Sequence, residues 1–175
     1  MSEEGMIENR VAKSPLITID LEDYYHKGAR VEFDIAPNLY QGLILKEADF
    51  RAFVKDHDWS QYEGKNVAVF CSKDAIVPTW AFMLLTTKLE GVANMVVMGD
   101  LQILEFALYK EVLAKIDAES FFNKPVVIKG CGDLPVPDSA YVELTRLLKP
   151  YAKSIMYGEP CSTVPLYKKP RRPKN

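Results

Sequence analysis

Two stretches of this sequence carry thiols and carboxylates in nearly the same phrase, CSKDAIVPTW at 71–80 and KGCGDLPVPDSA at 129–140. Each follows a short apolar run and leads into a proline-opened helix. The first holds Cys71, Ser72 and Asp74; the second holds Gly130, Cys131, Gly132 and Asp133. A thiol just before a helix N-terminus can be kept as thiolate, because the helix dipole and its free N–H groups stabilise negative charge. Between two glycines, Cys131 has the backbone freedom to present such donors to an anion. Cys131 is therefore the candidate nucleophile or ligand, with Asp133 as acid or base beside it.

Asp100 follows Gly99, and Glu159 and Cys161 follow Gly158, at the ends of two further apolar runs. Pairing Asp74 with Asp100 and Asp133 with Glu159 would raise one pKa of each pair and provide acid–base chemistry. Cys131 and Cys161, with Asp133, Glu159 or His57, form a donor set that suits zinc or iron, although no two ligands stand at short spacing. Blander roles compete: a free cysteine is often a small buried apolar residue, and a loop aspartate often accepts its own backbone N–H groups. His57 in KDHDW suits a helix end, and His26 in DYYHKG has no partner in sequence. A phosphatase loop would need arginine six positions after the cysteine, where Val77 and Pro137 stand. Walker A, G-x-G-x-x-G, H-E-x-x-H and G-x-S-x-G motifs are absent.

Elements must bring these loops together. VAVFC (67–71), VVIKG (126–130), MVVM (95–98) and SIMY (154–157) are short β-branched runs, which predicts strands covered on both faces. LITIDL (16–21) and RVEFDI (30–35) add two more. Amphipathic spacing predicts helices over 46–57 and 101–116, and another from Pro137 to Pro150. TWAFMLLTTKLE (79–90) is apolar nearly all round, which predicts a central or oligomer-facing helix. Strand and helix then alternate from residue 30, calling for a largely parallel sheet with helices packed on it. The candidate residues fall at the carboxyl ends of its strands, where such sheets bind ligands.

Shifting the chain by 59 residues aligns 43–101 with 102–160 and matches, among others, Asp74 with Asp133, Pro78 with Pro137 and Gly99 with Gly158. The expectation is one α/β domain over 1–168 built from two tandem units, followed by a basic disordered tail at 169–175.

A chain of 175 residues buries enough surface to fold without disulfide or metal, and three cysteines without a CxxC pair fit reduced thiols. A net charge of −2 disfavours nucleic acid as partner, and the four Lys/Arg of the tail at 169–175 read as a solubility device. MSEEGMIENR lacks the pattern of a secretory signal, and no apolar run is long enough to span a bilayer, so the cytoplasm is the expected compartment.

The phrases LITIDLEDYY, GLILKEADFRAFV, HDWSQYEGK, DAIVPTWAFMLL, VVIKGC, PVPDSAYVELTRLLKP and SIMYGEPCSTVPLYKK together resemble a bacterial family known as a domain of unknown function, number 2480. The likeness covers roughly residues 10–168 and implies no activity and no catalytic residue. In element order alone the chain also resembles the STAS-type regulatory fold, with Ser72 as a loose counterpart of its phosphoacceptor.

Two functions follow as expectations, and neither decides whether the protein is an enzyme. One is binding of a small or anionic ligand, or a metal, at the sheet edge through Cys131 with its flanking Gly130 and Gly132, Asp133, Glu159 and Cys161, with Cys71, Ser72, Asp74 and Asp100 as a second half-site. The other is a non-catalytic STAS-like regulator or scaffold that self-associates through the apolar helix.

Overall fold

The structure is a computed structural model that describes residues 16–129 and 132–170. The strands are β1 (Ile17–Asp20), β2 (Arg30–Asp34), β3 (Asn66–Phe70), β4 (Met95–Met98), β5 (Pro125–Lys129), β6 (Ser154–Glu159) and β7 (Ser162–Lys168). The helices are α1 (Glu47–Asp56), α2 (Thr79–Leu89), α3 (Leu101–Leu113) and α4 (Asp138–Leu148). From β2 to β6 strand and helix alternate as the apolar periodicities require. Pro78 and Pro137 are extended and stand one residue before their helices, so Pro137 caps α4 rather than opening it.

Among the described residues, seven strands form two sheets instead of the one the alternation suggested. One has the order β2-β3-β4 and is parallel throughout. The other has the order β1-β5-β6-β7, parallel except for the β6–β7 hairpin. β1 pairs with β5 and β2 with β3, and α3 stands in the chain between the strands of one sheet and β5 of the other. The β7 segment, which the sequence reading left without structure, alternates less clearly and contains Pro165, which is tolerated on an edge strand beside a register shift.

Two compact units result: His26–Tyr109, and Met1–Tyr25 together with Lys110–Asn175. They are not the segments 43–101 and 102–160. Even so, β3 and β5 share bounds at a spacing of 59 residues, as do α2 and α4. The pairings Asn66↔Met95 and Pro125↔Ser154 keep the same spacing.

Within the His26–Tyr109 unit, β3 is covered on both faces. Val67 and Val69 join Phe33, Ile35, Phe50, Val54, Leu85 and Leu89, while Ala68 points the other way onto Leu104 and Leu108. In the other unit Ile19, Leu21, Val126, Ile128, Leu144, Leu148 and Ile155 are buried.

Candidate functional site

At the carboxyl end of β2, the Asp34 carboxylate gathers the next strand's loop. It accepts the Ala36 N–H at 2.9 Å, the Ser72 N–H at 2.9 Å and the Ser72 hydroxyl at 2.6 Å. Burial pushes its pKa up, but the Ser72 hydroxyl and the Ala36 and Ser72 amides outweigh that and hold it below the usual carboxylate value. Ser72 is thus a ligand of Asp34, a residue the sequence reading passed over. Its signal was present as an aspartate ending a strand and followed by an apolar residue, in both TIDL and EFDI.

Beside this junction, a cleft of about 470 Å³ opens at the ends of β3 and β4, lined by Cys71, Lys73, Val77, Phe82, Met98 and Ile103 among others. Gly99 forms its floor with φ +141°, and a Cβ there would stand 2.4 Å from Ile103 Cδ1. Glycine therefore lets α3 start hard against β4. Asp100 then accepts the Gln102 and Ile103 N–H groups, each at 3.0 Å, and so caps α3. Its carboxylate is turned to the helix, while Asp74 is exposed in the loop that carries Lys73.

The second sheet's carboxyl edge is built differently. Lys129 meets Asp20 at 2.9 Å and Glu159 at 3.9 Å. The hydrogen bond from Lys129 holds Asp20 below the usual carboxylate value, and Asp20 with Glu159 pushes Lys129 up, so this amine stays protonated. Glu22 reaches into the loop after β5 and accepts the Leu134 N–H at 2.8 Å. A Cβ on Gly132 would come within 2.0 Å of Glu22 Oε1, so glycine is what lets the loop close on this carboxylate. Asp133 is exposed in the same loop, and Cys161 is exposed in the two-residue turn of the β6–β7 hairpin. Gly130 and Cys131 lie outside the described residues.

The sequence-predicted residues are therefore divided between two sheets. Cys71, Ser72, Asp74 and Asp100 belong to one, and Asp133, Glu159 and Cys161 to the other. β5 and β6, which lead to Cys131 and Cys161, are hydrogen-bonded neighbours. Among the described residues, no three His, Cys, Asp or Glu side chains stand together as a metal site would require.

The two histidines are packed into structure. His57 is enclosed by Phe33, Phe53 and Trp59, with Nε2 at 3.2 Å from the Tyr62 hydroxyl. His26, which has no partner in sequence, finds several across the fold. Its Nδ1 accepts the Gly28 N–H at 3.1 Å and lies 3.1 Å from Asn66 Nδ2, while Asn94 bonds Asn66 Oδ1 at 2.7 Å. This network satisfies Asn66, a fully buried polar residue at the start of β3.

A family model described as "Protein of unknown function (DUF2480)" matches residues 5–169. The chain belongs to this family. The match takes in both sheets and both carboxyl edges of the DUF2480 chain. Neither among curated proteins nor among solved structures does any chain match it. Among the described residues, no helix of this DUF2480 protein is long and apolar enough to cross a membrane.

Proposed function

We propose that the protein binds a small molecule in the cleft at the carboxyl ends of β3 and β4. The observation that carries this reading is the cleft itself: about 470 Å³ of mainly apolar lining, with one cation, Lys73, at its rim. Open parallel sheets bind ligands at this edge, and pockets of this size and composition suit small organic ligands. The ligand class that matches is an apolar body bearing a carboxylate or similar anion, the body against Val77, Phe82 and Ile103, the anion toward Lys73. Cys71 lines the same space and would sense the occupant. The Asp34–Ser72 junction holds the loop in place; it is not a reacting pair. The second edge, with Lys129, Glu159, Asp133 and Cys161, is the corresponding half of a doubled βαβ unit, its loop closed on Glu22. Cytoplasmic location belongs to the same proposal.

The test is a screen of small aryl and alkyl carboxylates by two-dimensional amide NMR. Hits should move resonances of Phe70, Lys73, Met98 and Gly99 and slow alkylation of Cys71. Both effects should vanish in Val77→Trp, which fills the cleft, and weaken about tenfold in Lys73→Glu. Shifts that scatter over the surface, or survive Val77→Trp, would defeat the reading.

A second reading, self-association through α2 and its approach loop, is favoured by Ile76, 89% exposed, and Met83, 63% exposed. Single apolar residues on a surface are ordinary, but these flank the cleft on one stretch of chain. Light scattering after size exclusion should then show a dimer that Ile76→Glu converts to monomer. A monomer at all concentrations in the unmodified protein removes it.

A further inference from the structure

At the opposite end of the β1-β5-β6-β7 sheet from Glu159, three lysines are set side by side. The Lys153 N–H donates to the Lys124 carbonyl at 2.9 Å, and the Lys169 N–H donates to the Lys153 carbonyl at 2.8 Å. These bonds extend the pairings Pro125↔Ser154 and Ser154↔Lys168 by one residue. Lys124, Lys153 and Lys169 thus stand opposite one another on successive strand ends, about 4.8 Å apart. Like charges opposite one another destabilise a sheet. Lys168 adjoins the row and Lys149 ends α4 just before it, and all five are exposed. Among the described residues, no ion pair joins any of the five to a carboxylate. Phe122, 64% exposed, lies beside the row with its ring centroid 5.1 Å from Lys169 Nζ. The sequence runs on from Lys169 with Arg171, Arg172 and Lys174.

We infer that this lysine row with Phe122 is a binding surface for single-stranded nucleic acid, the phosphates following Lys124, Lys153 and Lys169 and a base stacking on Phe122. A line of cations beside an exposed ring is the arrangement that takes a sugar–phosphate backbone and its bases together. An anionic bilayer would match the charge, but α4, the helix that ends at the patch, has its apolar stripe of Ala140, Leu144 and Leu148 buried and not free to enter the interface. The net charge of −2 hides this surface, because the row is assembled from segments far apart in sequence. The surface is independent of the cleft at β3 and β4.

Fluorescence anisotropy with a labelled twelve-nucleotide oligo(dT), from about 50 to 200 mM salt, tests it on the full chain. Binding should weaken with salt, and Lys124→Glu/Lys153→Glu should cost at least tenfold at 50 mM while making the log–log salt slope shallower by about 1.4, two phosphates' worth. Lys153→Gln should give about half that change. Phe122→Ala should weaken binding about tenfold at unchanged slope, because it removes stacking and no charge. Lys55→Glu/Lys88→Glu, the same charge change elsewhere, should leave affinity within twofold. Since the row repels itself, Lys153→Gln should also melt no lower than the parent at low salt, which separates lost binding from lost folding. The inference fails if oligo(dT) does not bind at 50 mM salt, or if the row variants bind like the parent. It also fails if only Arg171→Glu/Arg172→Glu matters, or if phosphatidylserine vesicles bind and the oligonucleotide does not.

Discussion

Asp34 shows how a single carboxylate can organise a sheet edge. It accepts three hydrogen bonds from two segments nearly forty residues apart, and its pKa is lowered as a result. Because the folded protein binds this proton less readily than the unfolded chain, whose aspartates titrate near 3.9, Asp34 stabilises the fold at neutral pH. That contribution is present above about pH 4 and fades as pH falls through the lower folded value. Asp34→Ala should therefore cost about 2 kcal/mol at pH 7 and unfold with a shallower acid limb than the parent. Ser72→Ala should lose about half as much. Urea midpoints from pH 7 down to 2.5 would show it, and parallel curves for parent and Asp34→Ala would refute the assignment. Asp20, on the carboxyl edge of the other sheet, is lowered by its hydrogen bond from Lys129 and shapes the acid limb in the same direction in every variant.

At the scale of elements, α2 illustrates how little an apolar sequence says about which face is buried. TWAFMLL offers no polar side to set the orientation, and neighbours decide it. Ala81, Leu85 and Leu89 are buried at helical spacing against β3 and α1, whereas Met83 points outward. Leu85→Ala should cost about 3 kcal/mol, as large-to-small changes in a packed core do, and Met83→Ala should stay within about 0.5 kcal/mol. Equal losses in denaturant unfolding would mean that the helix is turned differently. α4 is the contrasting case. Its Ala140, Leu144 and Leu148 stripe is legible directly, and the structure buries those three. Asp100 was legible only as an acidic residue after a glycine; the N–H groups that donate to it, from Gln102 and Ile103, belong to the first turn of α3, so its capping role required the helix start to be known.

For the whole molecule, the division into two units carries a testable consequence. The His26–Tyr109 unit is continuous in sequence and contains a complete three-stranded sheet with its own core on both faces. A fragment of residues 26–113, which keeps α3 whole, should fold alone with dispersed amide resonances and a single sigmoidal urea transition. A collapsed spectrum without a transition would show that this unit depends on the rest of the chain. The sequence by itself determined the kind and order of the elements from β2 to β6, because 2.0 and 3.6 residue periodicities and proline boundaries are local. It also placed Cys71, Ser72, Asp74, Asp100, Asp133 and Glu159 at the carboxyl ends of strands. Only the tertiary structure decided that β1 pairs with β5, that two sheets form instead of one, and that the candidate residues are shared between two edges. It also decided that Glu22 fills the loop after β5 and that Lys124, Lys153 and Lys169 meet in a row. Strand pairing has no local signature in a parallel sheet: any two apolar strands of equal length can be partners, and the choice rests on the packing of the helices that connect them.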